Sequence, residues 1–319
     1  MFCDTLSVTT VFIQIQSIAR LMSYRFRVKE SIPRGIRRIG REQINASLQA
    51  LSQAEDIHQA IHQARKRIKC LRSLLHLVRP GIEASVFKAQ DKGYRNIGRQ
   101  LAGARDAKVL LETLTKLENR PEKWKEKINT SPIRTWLLAQ YRNTELAFDR
   151  ARLESIRHEL QDRKKQFSTM PLKQVEFFDI CEGARSTYQN GRAAILYAVK
   201  TQDGEHFHDW RKNAQRHWRQ IQLLRPCWPP MIDMRAKFAH ELCQLLGDDH
   251  DLEVFSAMLK KNNSLFRGKL DLEALQLRIR NAQEDLRRSS VTHGQLLYAE
   301  KSRHFHQRLT ACWNASVNS

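Results

Sequence analysis

Negative charge is in short supply in this chain. Its 319 residues hold 34 Asp and Glu against 55 Lys and Arg, a formal net charge of +21 with a pI near 10.1. Such a balance points to a polyanionic partner: nucleic acid, an anionic membrane or a phosphate polymer. Turn formers are also scarce, with 12 Gly and 8 Pro. Long segments lack the two-residue alternation of strands, and 3.6-residue apolar periodicity is widespread, so the chain reads as all-α. The six cysteines (Cys3, Cys70, Cys181, Cys227, Cys243 and Cys312) lie too far apart for a metal-binding pair and show no disulfide framework. They read as core or incidental thiols of a reducing compartment, which places the protein in the cytoplasm. There is no phosphate-binding Gly-rich loop, nucleophile elbow or paired-carboxylate motif. The chain therefore reads as a binder with no enzymatic activity, cofactor or metal. The one apolar stretch near the N-terminus, Val8–Ile15, is too short to span a bilayer, and it lacks the basic flank of a signal peptide. No membrane partner is expected, and residues 1–21 read as an extension, disordered or preceding the true start.

The shortage of acid is sharpest between Ile57 and Arg79, where no Asp or Glu occurs. On a helix at about 100° per residue, His62, Arg65, Lys66, Lys69, Arg72 and His76 share one face within roughly 120°. Ala64, Ile68, Leu71, Leu74, Leu75 and Val78 occupy the other. A solvated face would normally interleave acids with bases, because i,i+4 pairs of opposite charge support helices. Like charges at that spacing repel, so this face costs stability unless an anion neutralises it.

The segment is repeated. His62-Gln63-Ala64-Arg65-Lys66, running on to Leu77-Val78-Arg79-Pro80, returns as His208-Asp209-Trp210-Arg211-Lys212, running on to Leu223-Leu224-Arg225-Pro226. The offset is 146 residues at both ends (His62 to His208, Pro80 to Pro226), with no gap. His208, Arg211, Lys212, Gln215 and Arg219 share a face, opposite Trp210, Ala214, Ile221 and Leu224. Trp210 and Trp218 are assigned to the core side. Leu101-Ala102-Gly103-Ala104-Arg105-Asp106 is also echoed, by Leu245-Leu246-Gly247-Asp248-Asp249-His250-Asp251. Each half thus reads as a helical bundle of similar plan: residues 22–170, then 171–319 from the Pro171 boundary.

The predicted helices are Ile36–Leu51, Ala54–Val78, Phe87–Ala102, Ala107–Leu117, a long helix or helical pair at Ile133–Lys165, Val175–Val199, Glu205–Leu224, Met234–Leu246, Leu252–Lys260, Leu270–Arg288 and Gln295–Trp313. Gly103, Pro121, Gly247 and Asn262-Asn263-Ser264 supply the breaks.

His62-xx-Arg65-Lys66-xx-Lys69-xx-Arg72, the Arg105-Asp106 element, His208-xx-Arg211-Lys212 and the Leu245–Leu252 stretch together resemble the CHAD domain, a conserved histidine α-helical domain. Gly183–Arg192 resembles the helix that precedes the family's second basic helix. The likeness spans roughly residues 30–315. It implies two four-helix bundles related by pseudo-twofold symmetry around a basic central cavity that binds inorganic polyphosphate, other polyanions being further candidates. Polyphosphate granules then become an expected location. The residues it implicates are His62, Arg65, Lys66, Lys69, Arg72, Arg95, Arg99 and Arg105 in the first half. In the second they are Arg185, Arg192, His208, Arg211, Lys212, Arg216 and Arg219. The chain departs from the pattern at Gln215 and Trp218, which stand where the first copy has Lys69 and Arg72. Arg216 and Arg219 are expected to compensate.

Two other readings compete. The net charge also suits an RNA- or DNA-binding helical protein, although no nucleic-acid motif or exposed aromatic platform is visible. His250-Asp251 invites comparison with metal-dependent phosphohydrolases, but the first copy shares only the Asp, which reads as a helix cap or an ion-pair partner. His58 and His62, four residues apart, lack a third ligand for zinc.

Overall fold

The computed structural model describes residues 24–52, 56–102, 106–120, 128–147, 150–268 and 271–318. Among them there is no strand. The twelve helices are α1 (Ile32–Ser52), α2 (Ile57–Val78), α3 (Ala84–Gln100), α4 (Asp106–Glu118), α5 (Ser131–Ala147), α6 (Arg150–Ser168), α7 (Phe177–Thr201), α8 (Gly204–Leu223), α9 (Pro229–Lys261), α10 (Asn263–Phe266), α11 (Leu272–Leu297) and α12 (Ser302–Val317). Of the two forms expected for Ile133–Lys165, one long helix or a helical pair, the structure has the pair, α5 and α6. The expected extension at residues 1–21 lies outside the described residues. No described helix is long and apolar enough to cross a membrane.

The two basic helices begin and end alike. Asp56 caps α2, its carboxylate accepting from the His58 and Gln59 amides at 2.8 and 3.0 Å. Asp203 caps α8 in the same way through the Glu205 amide. Each helix then runs into a one-turn 3₁₀ segment, Arg79–Gly81 and Arg225–Cys227, where a proline cannot continue the α-helical hydrogen bonding. The sequence repeat is therefore also a repeat of local structure.

α2 and α8 pack on each other, and α7 packs on both. Where α2 and α8 meet, the buried Gln220 amide donates to the Ser73 carbonyl at 3.1 Å. The α2–α7 approach is closer still: a Cβ at Gly183 would lie 1.9 Å from the Leu77 carbonyl oxygen, so only glycine fits. The chain entering the fold is tied to both α2 and α8. Tyr24 Oη donates to the Cys70 carbonyl at 2.9 Å, and the Phe26 amide donates to the Leu223 carbonyl at 3.1 Å.

A large apolar core gathers the inner faces of α1, α2, α3, α6, α7, α8 and α12 and the first half of α9, including Ile36, Leu71, Leu74, Tyr188, Trp210, Ile221, Leu242 and Phe305. A second core is built from α4 and α5 together with the far end of α9, α10 and α11, through Leu114, Ile133, Leu137, Phe255, Phe266 and Ile279. Each core thus draws on residues from both sides of Pro171.

Two predicted breaks are corrected. α9 runs without interruption through Gly247. A mid-helix glycine costs about 1 kcal/mol against alanine. Leu242 and Leu246 before it are buried in the large core, and Leu252, Phe255 and Leu259 after it in the second core, so burial on both flanks outweighs that cost. Asp251 consequently lies in mid-helix and caps nothing, unlike Asp106, which opens α4. The last break also moves. α11 continues to Leu297 because Ser290, Gly294 and Leu297 are buried, and the chain turns at 298–301 instead.

Candidate functional site

The cationic faces of α2 and α8 meet around α9, and their charges interlock. On α9, His240 and His250 project toward them. The His250 ring lies 4.3 Å from that of His208, nearly parallel at 26°. Burial lowers the pKa of His250 to about 4, helped by the charges of Arg211, His208, Lys212 and Lys69. Burial likewise lowers His208, with Lys212 and Arg211 adding to the effect. For His240 the cause after burial is Lys66 and then Arg219. Lys66 and Lys69 come from α2 and Arg211, Lys212 and Arg219 from α8, so cations of both repeats act on the imidazoles of a third helix. The Cys243 thiol lies in the same field. Burial pushes it up to about 12, against the opposing pull of Arg219, Arg211 and Lys69.

A second group lies further along α2. Asp91, on α3, is almost fully buried, its side chain 4% exposed. Arg72 grips it with both nitrogens, Nε to Oδ1 at 2.8 Å and Nη2 to Oδ2 at 3.2 Å. Arg95 Nη2 donates to Oδ2 at 2.6 Å, and His76 Nε2 stands 3.6 Å from Oδ1. Burial alone would raise this carboxyl, but the nearby His76 and the hydrogen bonds of Arg72 and Arg95 prevail and hold it well below the usual carboxylate range. Arg216 reaches into this group from α8. Burial lowers it to about 10, the Arg72 and Arg79 charges push the same way, and Asp91 opposes them.

Not every residue implicated in the sequence joins these groups. His62 sits half-buried on α2, and Arg65 turns aside, its Nη1 donating to the Gly98 carbonyl at 2.9 Å. Arg99 is exposed near the end of α3. Arg185 pairs with Glu182 at 2.7 Å, and Arg192 donates to the Glu300 carbonyl at 3.2 Å, so both serve the packing of α7 against α12 and the turn before it. Arg105 lies outside the described residues. Of the two residues expected to compensate in α8, Arg216 meets Arg72 as described. Arg219 is buried, donates to the Gln215 carbonyl at 2.8 Å and lies 5.0 Å over the Trp218 ring. Trp210 is fully buried, and Trp218 is half-buried, packed against the large core with its ring 4.4 Å from His240.

His240, Arg79 and Asp91 were missed, and His250 was weighed only as a metal ligand. A signal existed. On one continuous helix, residues 240, 243, 247 and 250 fall within about 80° of arc. The break predicted at Gly247 hid that stripe. The structure gives the neighbouring Asp249 to Arg287, at 2.9 Å, on the far side of α9. No group of His, Cys, Asp and Glu among the described residues is arranged to hold a metal ion.

A family model for the CHAD domain matches residues 38–260, about two thirds of the chain. The chain belongs to the CHAD domain family. The match contains both basic helices and almost all of α9, hence every member of the two charged groups. The CHAD fold is seen again in a solved structure, the crystal structure of the CHAD domain from the plant Ricinus communis. It superposes with a TM-score of 0.54 at 17% identity, over 90% of this chain and 94% of that one. At that identity the likeness speaks for the fold. No curated protein matches the chain.

Proposed function

We propose that this CHAD domain binds inorganic polyphosphate, without catalysis, along the basic surface where α2, α8 and α9 meet. The observation that carries the reading is the convergence of both repeats on shared partners: Lys66, Lys69, Arg211 and Arg219 on the α9 histidines, and Arg72 on Arg216. Two bundles, residues 22–170 and 171–319, related by a pseudo-twofold axis near the α2–α8 crossing, would account for it. The matching caps and 3₁₀ turns of the two helices support that arrangement.

The chemistry suits a flexible phosphate chain. Such a chain carries about one charge per phosphate, and neutralising several of them releases condensed counterions. Arginine can clamp two oxygens of one phosphate, while lysine acts as a compact point charge. A polymer without bases needs no stacking platform, and the aromatic rings nearest the cations are largely occupied, Trp218 by His240 and Phe87 by His76. His208 and His250, neutral in the free protein, can take up protons when phosphates arrive.

The test is a titration of labelled long-chain polyphosphate at several salt concentrations, with tRNA and duplex DNA as competitors and free phosphate monitored. Tight binding that weakens linearly in log–log form with salt, resists both nucleic acids and leaves the polymer length unchanged supports the proposal. Preferential displacement by tRNA or DNA would favour the nucleic-acid reading. Metal-dependent shortening of the polymer would make the protein an enzyme.

A further inference from the structure

We propose that Asp91 is a built-in competitor for the polyanion: a buried carboxylate that occupies the cations at one end of the basic surface and sets how much of it a ligand can use. The inference rests on the binding role proposed above and goes beyond it by assigning a residue that limits affinity.

Asp91 is outnumbered by the cations around it. Arg72 and Arg95 hydrogen-bond it, His76 stands beside it, and Arg216 lies within electrostatic reach. One carboxylate faces three guanidinium groups and cannot neutralise them. Arg216 is lowered chiefly by its burial, and Arg72 and Arg79 push it further down while Asp91 opposes them. The group therefore keeps an unmet demand for negative charge while its best donors are already engaged.

Those donors are not sealed in. The side chains of Arg72 and Arg95 are 31% and 48% exposed, against 4% for Asp91. Their guanidinium groups can exchange the carboxylate for a phosphate at the surface, whereas Asp91 cannot leave. Bidentate Arg–carboxylate and Arg–phosphate geometries are alike, so the two acceptors compete for the same N–H groups.

The α9 histidine end differs. There Arg211, Lys212 and Lys69 act on His250, and the carboxylate that pairs with Lys212, Asp209 at 2.9 Å, has a side chain 63% exposed, so it can yield to a ligand at the surface. A short polyanion would anchor at that end. Only a longer one would gain by reaching Arg72, Arg95 and Arg216, and it must displace Asp91 to do so. Asp91 is thus a penalty on chain extension, not on anchoring.

The experiment compares wild type, Asp91→Asn and Asp91→Glu for binding of tripolyphosphate and long-chain polyphosphate across a salt series. For the long chain, Asp91→Asn should bind on the order of tenfold tighter, with the log–log salt slope steeper by about one to two, because the freed guanidinium groups release further counterions on binding. Tripolyphosphate affinity should change by less than about threefold. Asp91→Glu, which keeps the charge, should retain the wild-type slope. Long-chain binding weakened or unchanged by Asp91→Asn, in protein with an intact cooperative melt, would overturn the proposal and make Asp91 a positioning residue. If Asp91→Asn does not fold, Arg95→Gln decides. A guanidinium held by a competitor should cost long-chain binding clearly less than Lys66→Gln does, and an equal loss would overturn the proposal. Wild-type protein that binds neither ligand would sink the binding role and this inference together. Wild type that binds the long chain while the variants fail would sink only the role of Asp91.

Discussion

Each basic helix has a nearly inaccessible carboxylate close by, and the two meet opposite fates. Asp91, beside α2, has a side chain 4% exposed, and Asp249, behind α8, one 2% exposed. Burial pushes both toward protonation. Asp91 nevertheless ends well below the usual carboxylate range, because His76 stands beside it and Arg72 and Arg95 both hydrogen-bond it. Asp249 ends above it, because the Arg287 charge and hydrogen bond, aided by Gln283, fall short of the desolvation penalty. Equal burial therefore does not mean equal chemistry. The number of cationic donors decides whether a buried carboxylate stays charged at no cost. The comparison also separates a residue embedded among the cations of the basic surface from one that belongs to the packing of α9 on α11.

The largest effect expected concerns whether α2 and α8 serve one site. Replacing Arg211 and Lys212 by Glu, or Arg65 and Lys66 by Glu, should each weaken long-chain polyphosphate binding by about 100-fold or more at moderate salt, since either swap removes two cations and adds two repelling charges. A titration in which only one pair mattered would separate the two helices. Next comes the packing between the halves. Gly183→Ala should cost on the order of 3 kcal/mol in urea unfolding, because its methyl collides with the backbone of Leu77. A cost below about 0.5 kcal/mol would mean that α7 and α2 can slide apart freely.

The two carboxylates themselves should differ. Asp91→Asn should lower stability at pH 7 by about 2 kcal/mol, less than a fully buried pair because Arg72 and Arg95 retain water. Asp249→Asn should cost under about 1 kcal/mol, since the charge it removes is already disfavoured. The pH dependence has opposite signs. The lowered pKa of Asp91 supplies stability that is present above the usual Asp value and lost as pH falls below it. The raised pKa of Asp249 imposes a cost above that value that disappears below it. Matching losses for the two Asn variants across an acid titration would dissolve the comparison.

The smallest effect belongs to the histidines. His250 titrates near 4 when folded against a usual 6.5, so the unfolded chain binds more protons between those values, and stability falls as pH drops through that window. His250→Asn should flatten this part of the acid limb by about 1–2 kcal/mol. Polyphosphate reverses the sign, because phosphates favour the imidazolium. Wild-type binding should therefore tighten severalfold from pH 7 to pH 5.5, and the gain should shrink in the variant.

The helices that carry the site were the most legible in the sequence. The acid-free run from Ile57 to Arg79 and its echo 146 residues on (His62 to His208) announced both basic faces. All-α architecture followed from the periodicity. The continuity of α9 was not legible, because a glycine followed by two aspartates looks like a break, and only tertiary burial of Leu246 and Leu252 overrides it. That one misplaced break turned Asp251 into a cap and concealed His240 and His250 as part of the site. Asp91 was hidden for another reason. Its partners lie 19 residues back, at Arg72, and one turn ahead, at Arg95, and no local pattern reports a carboxylate folded inward among arginines.

The unbroken α9 has a mechanical consequence. Its 33 residues form a rod about 50 Å long, one end embedded in the large core and the other in the smaller one, with the histidine stripe between them. A stiff rod clamped at both ends cannot let one end melt while the other holds without fraying where it passes the basic surface. Heat should therefore dissolve both cores in a single step, and an anion resting against the middle of the rod braces them both.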